Sequence, residues 1–152
     1  MKASKALMAL AAVALIAGAA AHLGASNDTI TTAQDLPQAA QTTISDYFGD
    51  KVVALVKKET QALSISYEVI FADGSKIEFD SEGEWEEVKC RNPFVPLNLL
   101  PAEIASYVST NYPSAAVVEI DKGRKKYEVN VNNHIEIDFN TKFEVIEIEI
   151  DN

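Results

Sequence analysis

The second half of the chain repeats the order of signals found in the first. Leu36-Pro37 opens a helical stretch, and Leu100-Pro101 opens another 64 residues later. Tyr67-Glu68-Val69 returns as Tyr127-Glu128-Val129, and Ile77-Glu78-Phe79-Asp80 returns as Ile137-Asp138-Phe139-Asn140. A duplicated unit constrains a fold strongly, because both copies must satisfy one pattern of burial. It also claims most apolar residues for a core and leaves few for chemistry.

The periodicities predict the elements. Leu36, Ala40, Ile44, Tyr47 and Phe48 share a helical face, as do Leu100, Ile104, Val108 and Tyr112. Pro37 suits a first helical turn, and Gly49 and Pro113 are stops. Strands follow each helix. Val52 to Val56 and Val117 to Ile120 are apolar runs; Ile65 to Phe71 and Tyr127 to Val131 alternate with period two. Asp73-Gly74 and Asn133-His134 mark hairpins. In the last strands a step of three, Trp85 to Val88 and Phe143 to Ile146, predicts a bulge in each copy. This register pairs Trp85 with Phe143 and sets Cys90 opposite Ile148, as a small buried residue.

The expected fold is α+β: a tandem repeat of helix plus four antiparallel strands, both helices packed on one face of a combined antiparallel sheet. Its parts are a signal peptide (1–21), a disordered leader (22–34), a first repeat (35–90), a linker (91–99) and a second repeat (100–152). The linker carries Pro93, Phe94, Val95 and Pro96, too apolar for a free tether.

The N-terminus reads as a cleavable export signal. Lys2 and Lys5 precede an apolar, alanine-rich run, followed by Ala19-Ala20-Ala21. The run is shorter than the roughly 20 residues that span a bilayer. A periplasmic or secreted protein, without membrane insertion after cleavage, is expected. Removing Lys2 and Lys5 leaves 11 basic side chains against 23 acidic ones, a net charge of −12. That surface repels nucleic acid. One cysteine, Cys90, forms no internal disulfide, so the core must hold the fold.

The residues Tyr67-Glu68-Val69, Asp73-Gly74, Ile77-Glu78-Phe79-Asp80 and Gly83-Glu84-Trp85 with Val88 are one ordered series. Val95-Pro96, Leu99-Leu100-Pro101, Ile104, Tyr107 and Asn111-Tyr112-Pro113 continue it. Taken together, residues 35–150 resemble the β-lactamase-inhibitor-like, PepSY-like domain family of exported bacterial proteins. The resemblance implies tandem helix-plus-four-strand units, and a sheet whose open face grips another protein.

Catalytic chemistry finds little support. Nucleophilic hydrolysis needs a base beside the nucleophile, and the histidines are His22, near the cleavage point, and His134, in a turn. Most carboxylates fall on the polar phase of strands, as on a solvated sheet face. Asp80-Ser81-Glu82-Gly83-Glu84 lacks the spacing of a calcium-binding loop and reads as a hairpin turn. No cofactor, metal or catalytic residue is assigned. The expectation is an exported, non-enzymatic protein-binding domain, an inhibitor or regulator of an exported enzyme. It would engage another exported or envelope protein through the helix-free sheet face, at Glu68, Glu78, Trp85, Glu86, Glu128, Asn130, Glu136 and Asp138. The alternatives are a sensor of small ligands or cell-wall fragments and a carboxylate-dependent hydrolase.

Overall fold

The computed structural model describes residues 27–61, 63–91, 94–132 and 134–151. The expected signal peptide and the start of the leader lie outside them. The strands are β1 (Asn27–Thr31), β2 (Val53–Gln61), β3 (Ser64–Phe71), β4 (Lys76–Phe79), β5 (Trp85–Lys89), β6 (Val117–Lys122), β7 (Lys126–Val131), β8 (Ile135–Asn140) and β9 (Val145–Ile150). The helices are α1 (Gln38–Phe48) and α2 (Ala102–Asn111).

This corrects the expected fold class. The chain forms one nine-stranded antiparallel sheet in sequence order, with two short α-helices, and is not an α+β tandem of helix plus four strands. The added strand is β1, from the polar stretch expected to be a disordered leader. Its register runs Asn27↔Thr60 to Thr31↔Val56. Backbone pairing needs no apolar side chains, so β1 carries no hydrophobic alternation to announce it. Asp35 anchors its end, accepting bonds from Thr31 Oγ1 at 2.9 Å and Thr32 Oγ1 at 2.6 Å. Those bonds hold the Asp35 carboxyl below its ordinary range.

Contacts divide the chain into two compact units, residues 1–73 with 78–84, and 74–77 with 85–152. In the first, α1 starts after Pro37 and ends at Gly49. It buries Ala40, Ile44 and Phe48, as the sequence period predicts. Phe48 stacks on Phe71 of β3, with ring centroids 5.7 Å apart. In the second unit α2 buries Ile104 and Val108. Tyr107 meets Phe139 of β8 edge-on at 5.4 Å. The segment after β5 is fixed by a bond from Val95 N to the Val117 carbonyl, 2.9 Å, and buries Val95, Leu99 and Leu100. Cys90 is fully buried.

The last turn of each unit changes the expected residue pairing. Asp80 Oδ1 accepts from Glu82 N and Glu84 N, both at 2.9 Å. Asn140 Oδ1 accepts from Lys142 N and Glu144 N in the same way, at 2.8 and 3.0 Å. Gly83 takes the positive φ of the first turn, 88°, and Phe143 that of the second, 63°. Phe143 is therefore the turn partner of Gly83, not of Trp85. In the second unit the bulge lies at Ile146, because Phe139 pairs with Val145 while Asp138 pairs with Glu147. Ile148 is 42% exposed, so it gives no guide to the burial of Cys90. His134 is exposed in its turn, its Nδ1 2.9 Å from the Asn132 carbonyl oxygen.

Gly83 also touches α1. A Cβ there would lie 2.8 Å from Ala40 N and from Pro37 Cβ. Gly74 has a similar φ, 83°, but open space around it. Gly74→Ala should cost about 1–2 kcal/mol, the strain of a left-handed residue. Gly83→Ala should cost a further ~1–3 kcal/mol, because the start of α1 must move. Urea midpoints of the two variants check this; equal losses would show that the close approach to α1 carries no energy.

Candidate functional site: a carboxylate face on β5–β9

In the second unit one register line crosses five strands. Val88 pairs with Ile120, Ile120 with Val129, Val129 with Ile137, and Ile137 with Ile148. The first four are fully buried. Strand alternation then sends the residues on either side of this line to the opposite face. They form two cross-strand rows. One is Lys89, Glu119, Asn130, Glu136 and Glu149; the other is Glu87, Asp121, Glu128, Asp138 and Glu147. The second row is acidic throughout.

Like charges directly opposite destabilise an antiparallel pair. The face holds several: Asp121 against Glu128, Glu128 against Asp138, Asp138 against Glu147, and Glu136 against Glu149. Cations offset part of this. Lys89 bonds Glu119 at 2.7 Å and Lys76 reaches Glu87 at 3.1 Å. Lys126 bridges Glu128 and Asp138, the latter at 2.7 Å. Those two carboxylates raise the Lys126 pKa well above the ordinary lysine range, Asp138 contributing most. Glu136, Glu147 and Glu149 have no ion-pair partner among the described residues.

At the centre of the face, Glu128, Glu136 and Asp138 each place a carboxylate oxygen within 4.8 Å of the others. Asp138 is 5% exposed, the one charged residue buried to this degree among those described. Its Oδ2 accepts from Lys126, whereas its buried Oδ1 has no hydrogen-bond partner. Desolvation raises the pKa of Glu136, and Glu128, Asp138 and Glu149 raise it further. The sheet thus holds a concentrated negative potential around one buried carboxylate.

Of the residues singled out in the sequence, Glu128, Asn130, Glu136 and Asp138 lie together on this face. Glu68 and Glu78 are strand residues of the first unit, where Glu68 accepts from Lys57 at 2.6 Å. Trp85 lies 5.7 Å from Lys122 Nζ, and Lys122 has the strand phase of the buried Ile120. Glu86 is exposed. Glu119, Asp121, Glu147 and Glu149 share the face without having been among those residues. Their signal was present in the alternation of Val118-Glu119-Ile120-Asp121 and Ile146-Glu147-Ile148-Glu149.

The family model described as "Putative beta-lactamase-inhibitor-like, PepSY-like" matches residues 65–147. The chain belongs to this PepSY-like family. A "putative calcium-regulated periplasmic protein" from Bacteroides thetaiotaomicron is 46% identical, with a TM-score of 0.77 over 82% of this chain and 97% of that one. A "putative periplasmic protein" from Bacteroides vulgatus is 44% identical, with a TM-score of 0.79 over 85% and 100%. A further "putative periplasmic protein of unknown function" from that species is 35% identical, with a TM-score of 0.74 over 80% and 98%. No curated protein matches. The PepSY-like membership and these periplasmic relatives support an exported domain.

Glu136 gives a pH test. Its native pKa stands above the unfolded value, so the native state holds a proton that the unfolded state has lost. Its contribution therefore falls as pH rises from the ordinary glutamate range through the raised native value. Glu136→Gln should stabilise the metal-free protein at pH 7 by up to about 1 kcal/mol, the scale of a like-charge cross-strand pair. It should also flatten that part of the stability–pH curve. Unfolding midpoints in EDTA between pH 4 and 8 measure both effects, and a destabilised variant at pH 7 would refute the assignment.

Proposed function

We propose that this PepSY-like protein is an exported, non-enzymatic binding domain whose carboxylate face engages a basic surface on another envelope or secreted protein. The observation that carries this reading is the pairing of like charges across β6–β9. Folding alone would select against such neighbours, and a local conflict of this kind marks a functional surface. A basic partner would offset the repulsion and be steered toward the face from a distance.

Two likenesses favour the reading. The family description places this chain beside β-lactamase-inhibitor-like domains, which accords with an inhibitor or regulator of an exported enzyme. The relative described as calcium-regulated accords with a face whose charge state responds to cations. The Glu128, Asn130, Glu136 and Asp138 cluster lies at the centre of the proposed contact, with Glu147 and Glu149 toward the β9 edge.

Affinity capture from an envelope extract tests the face, with wild type compared against the Glu147→Lys/Glu149→Lys double variant. These side chains are exposed and lie outside the central cluster. Charge reversal should weaken capture of any specific partner at least tenfold, and raising salt from about 0.05 to 0.5 M should weaken wild-type capture through screening. Capture unaffected by both changes would overturn the acidic-face reading. Turnover of a substrate by the pure protein would overturn the non-enzymatic one.

A further inference from the structure

We infer that Glu128, Glu136 and Asp138 form a binding site for a divalent cation of calcium's type. The inference goes beyond partner binding and needs no second protein. Two observations meet at this point. The three carboxylates each bring an oxygen within 4.8 Å of the others. Calcium binds oxygens at about 2.3–2.6 Å, so one ion can reach all three with a small adjustment of the side chains. Independently, Asp138 is buried and its Oδ1 is a solvent-excluded acceptor with no donor. An ionised oxygen without a partner is a cost of desolvation that the fold leaves uncompensated. A metal ion held by both oxygens of Asp138 would satisfy it.

Charge balance selects the valence. Three carboxylates with the one ammonium of Lys126 leave two negative charges, which a dication neutralises. Ligand chemistry selects the class. An all-carboxylate set favours hard cations and disfavours zinc or copper, which prefer nitrogen and sulfur. Calcium accepts an irregular partial shell completed by water, whereas magnesium demands a near-ideal octahedron. Glu128 and Glu136 are half-buried, and leave room on the solvent side for that water. The strand positions are fixed by register, Glu128↔Asp138 on adjoining strands with Glu136 two residues before Asp138 on β8. The ligands thus come from rigid elements.

Lys126 is the resident competitor. It bridges Glu128 and Asp138 and holds its proton tightly there. Cation binding must displace it or share the oxygens with it. This competition and the partial shell suggest an affinity in the range of extracellular calcium modules, roughly 0.1–1 mM.

The test is calorimetric titration of the full chain with calcium chloride, paired with thermal unfolding in EDTA, calcium, magnesium, and sodium chloride of matched ionic strength. Calcium should bind near a 1:1 ratio and raise the melting temperature beyond the sodium control. Magnesium should bind at least tenfold more weakly. Asp138→Asn should abolish the calcium effect, and Glu136→Gln should weaken it at least tenfold while leaving the metal-free fold intact. Lys126→Met should tighten calcium binding by removing the competitor. Glu147→Gln, an equal charge change outside the set, should leave binding within twofold of wild type. Should Asp138→Asn fail to fold, Glu136→Gln decides alone. A calcium response no larger than that of sodium, or one that survives Glu136→Gln unchanged, would overturn the site. Partner capture by the Glu147→Lys/Glu149→Lys protein reads out the other proposal, so either can fail without the other.

Discussion

Register between neighbouring antiparallel strands decides which side chains of this protein can meet. Val88, Ile120, Val129 and Ile137 are locked into one buried line by their pairings. A slip of one residue would move them all to the other face. The apolar line and the carboxylate rows are therefore one constraint seen from two sides. The burial that stabilises the sheet also forces acidic residues on five successive strands to stand abreast. Helix α2 depends on the same register, because Tyr107 needs Phe139 on its own side of β8.

Such a face could be neutralised by alternating lysines with glutamates across strands, and the first unit does this locally. Lys57 stands opposite Glu68, and burial plus that bond shape its charge, with the bond to Glu68 raising the Lys57 pKa. In the second unit Asp138 stands between Glu128 and Glu147 on its two neighbours. Lys126 reaches into this row from the start of β7 instead of occupying a place within it. One ammonium then serves two carboxylates, and Asp138 retains an unsatisfied oxygen. The difference lies in which residue type the register places at the centre.

The two helices and several strands were legible because their signals are local. The buried faces of α1 and α2 follow the helical period, and β3, β7 and β8 carry an apolar residue at every second position. Membership of the PepSY-like family could likewise be read from the order of short segments. The ninth strand could not, because β1 is held by backbone pairing and by Asp35, neither of which leaves a hydrophobic pattern. The turn at Phe143 misled for a related reason. A phenylalanine at positive φ is unusual, so the apolar pattern alone makes Phe143 the first position of β9. The shift of two then set Cys90 against Ile148. The acidic residues were each visible, yet their adjacency was not. Glu128, Glu136 and Asp138 come together only once the β7–β8 register is known.

Asp138 concentrates these effects. The same phase that aligns it with Glu128 and Glu147 also places it between the buried Ile137 and Phe139 on β8. Its neighbours on the strand thus reduce its access to water while its neighbours across the sheet share its charge. An apolar residue there would pack more cheaply, and asparagine would remove the repulsion. A carboxylate kept at such a position is explained by what it can hold. Lys126 holds one oxygen now, and its long, partly exposed stem makes that contact exchangeable for a stronger cation. Exchange of this kind would alter the charge of the whole face from a single buried point, and so link cation occupancy to whatever the face binds.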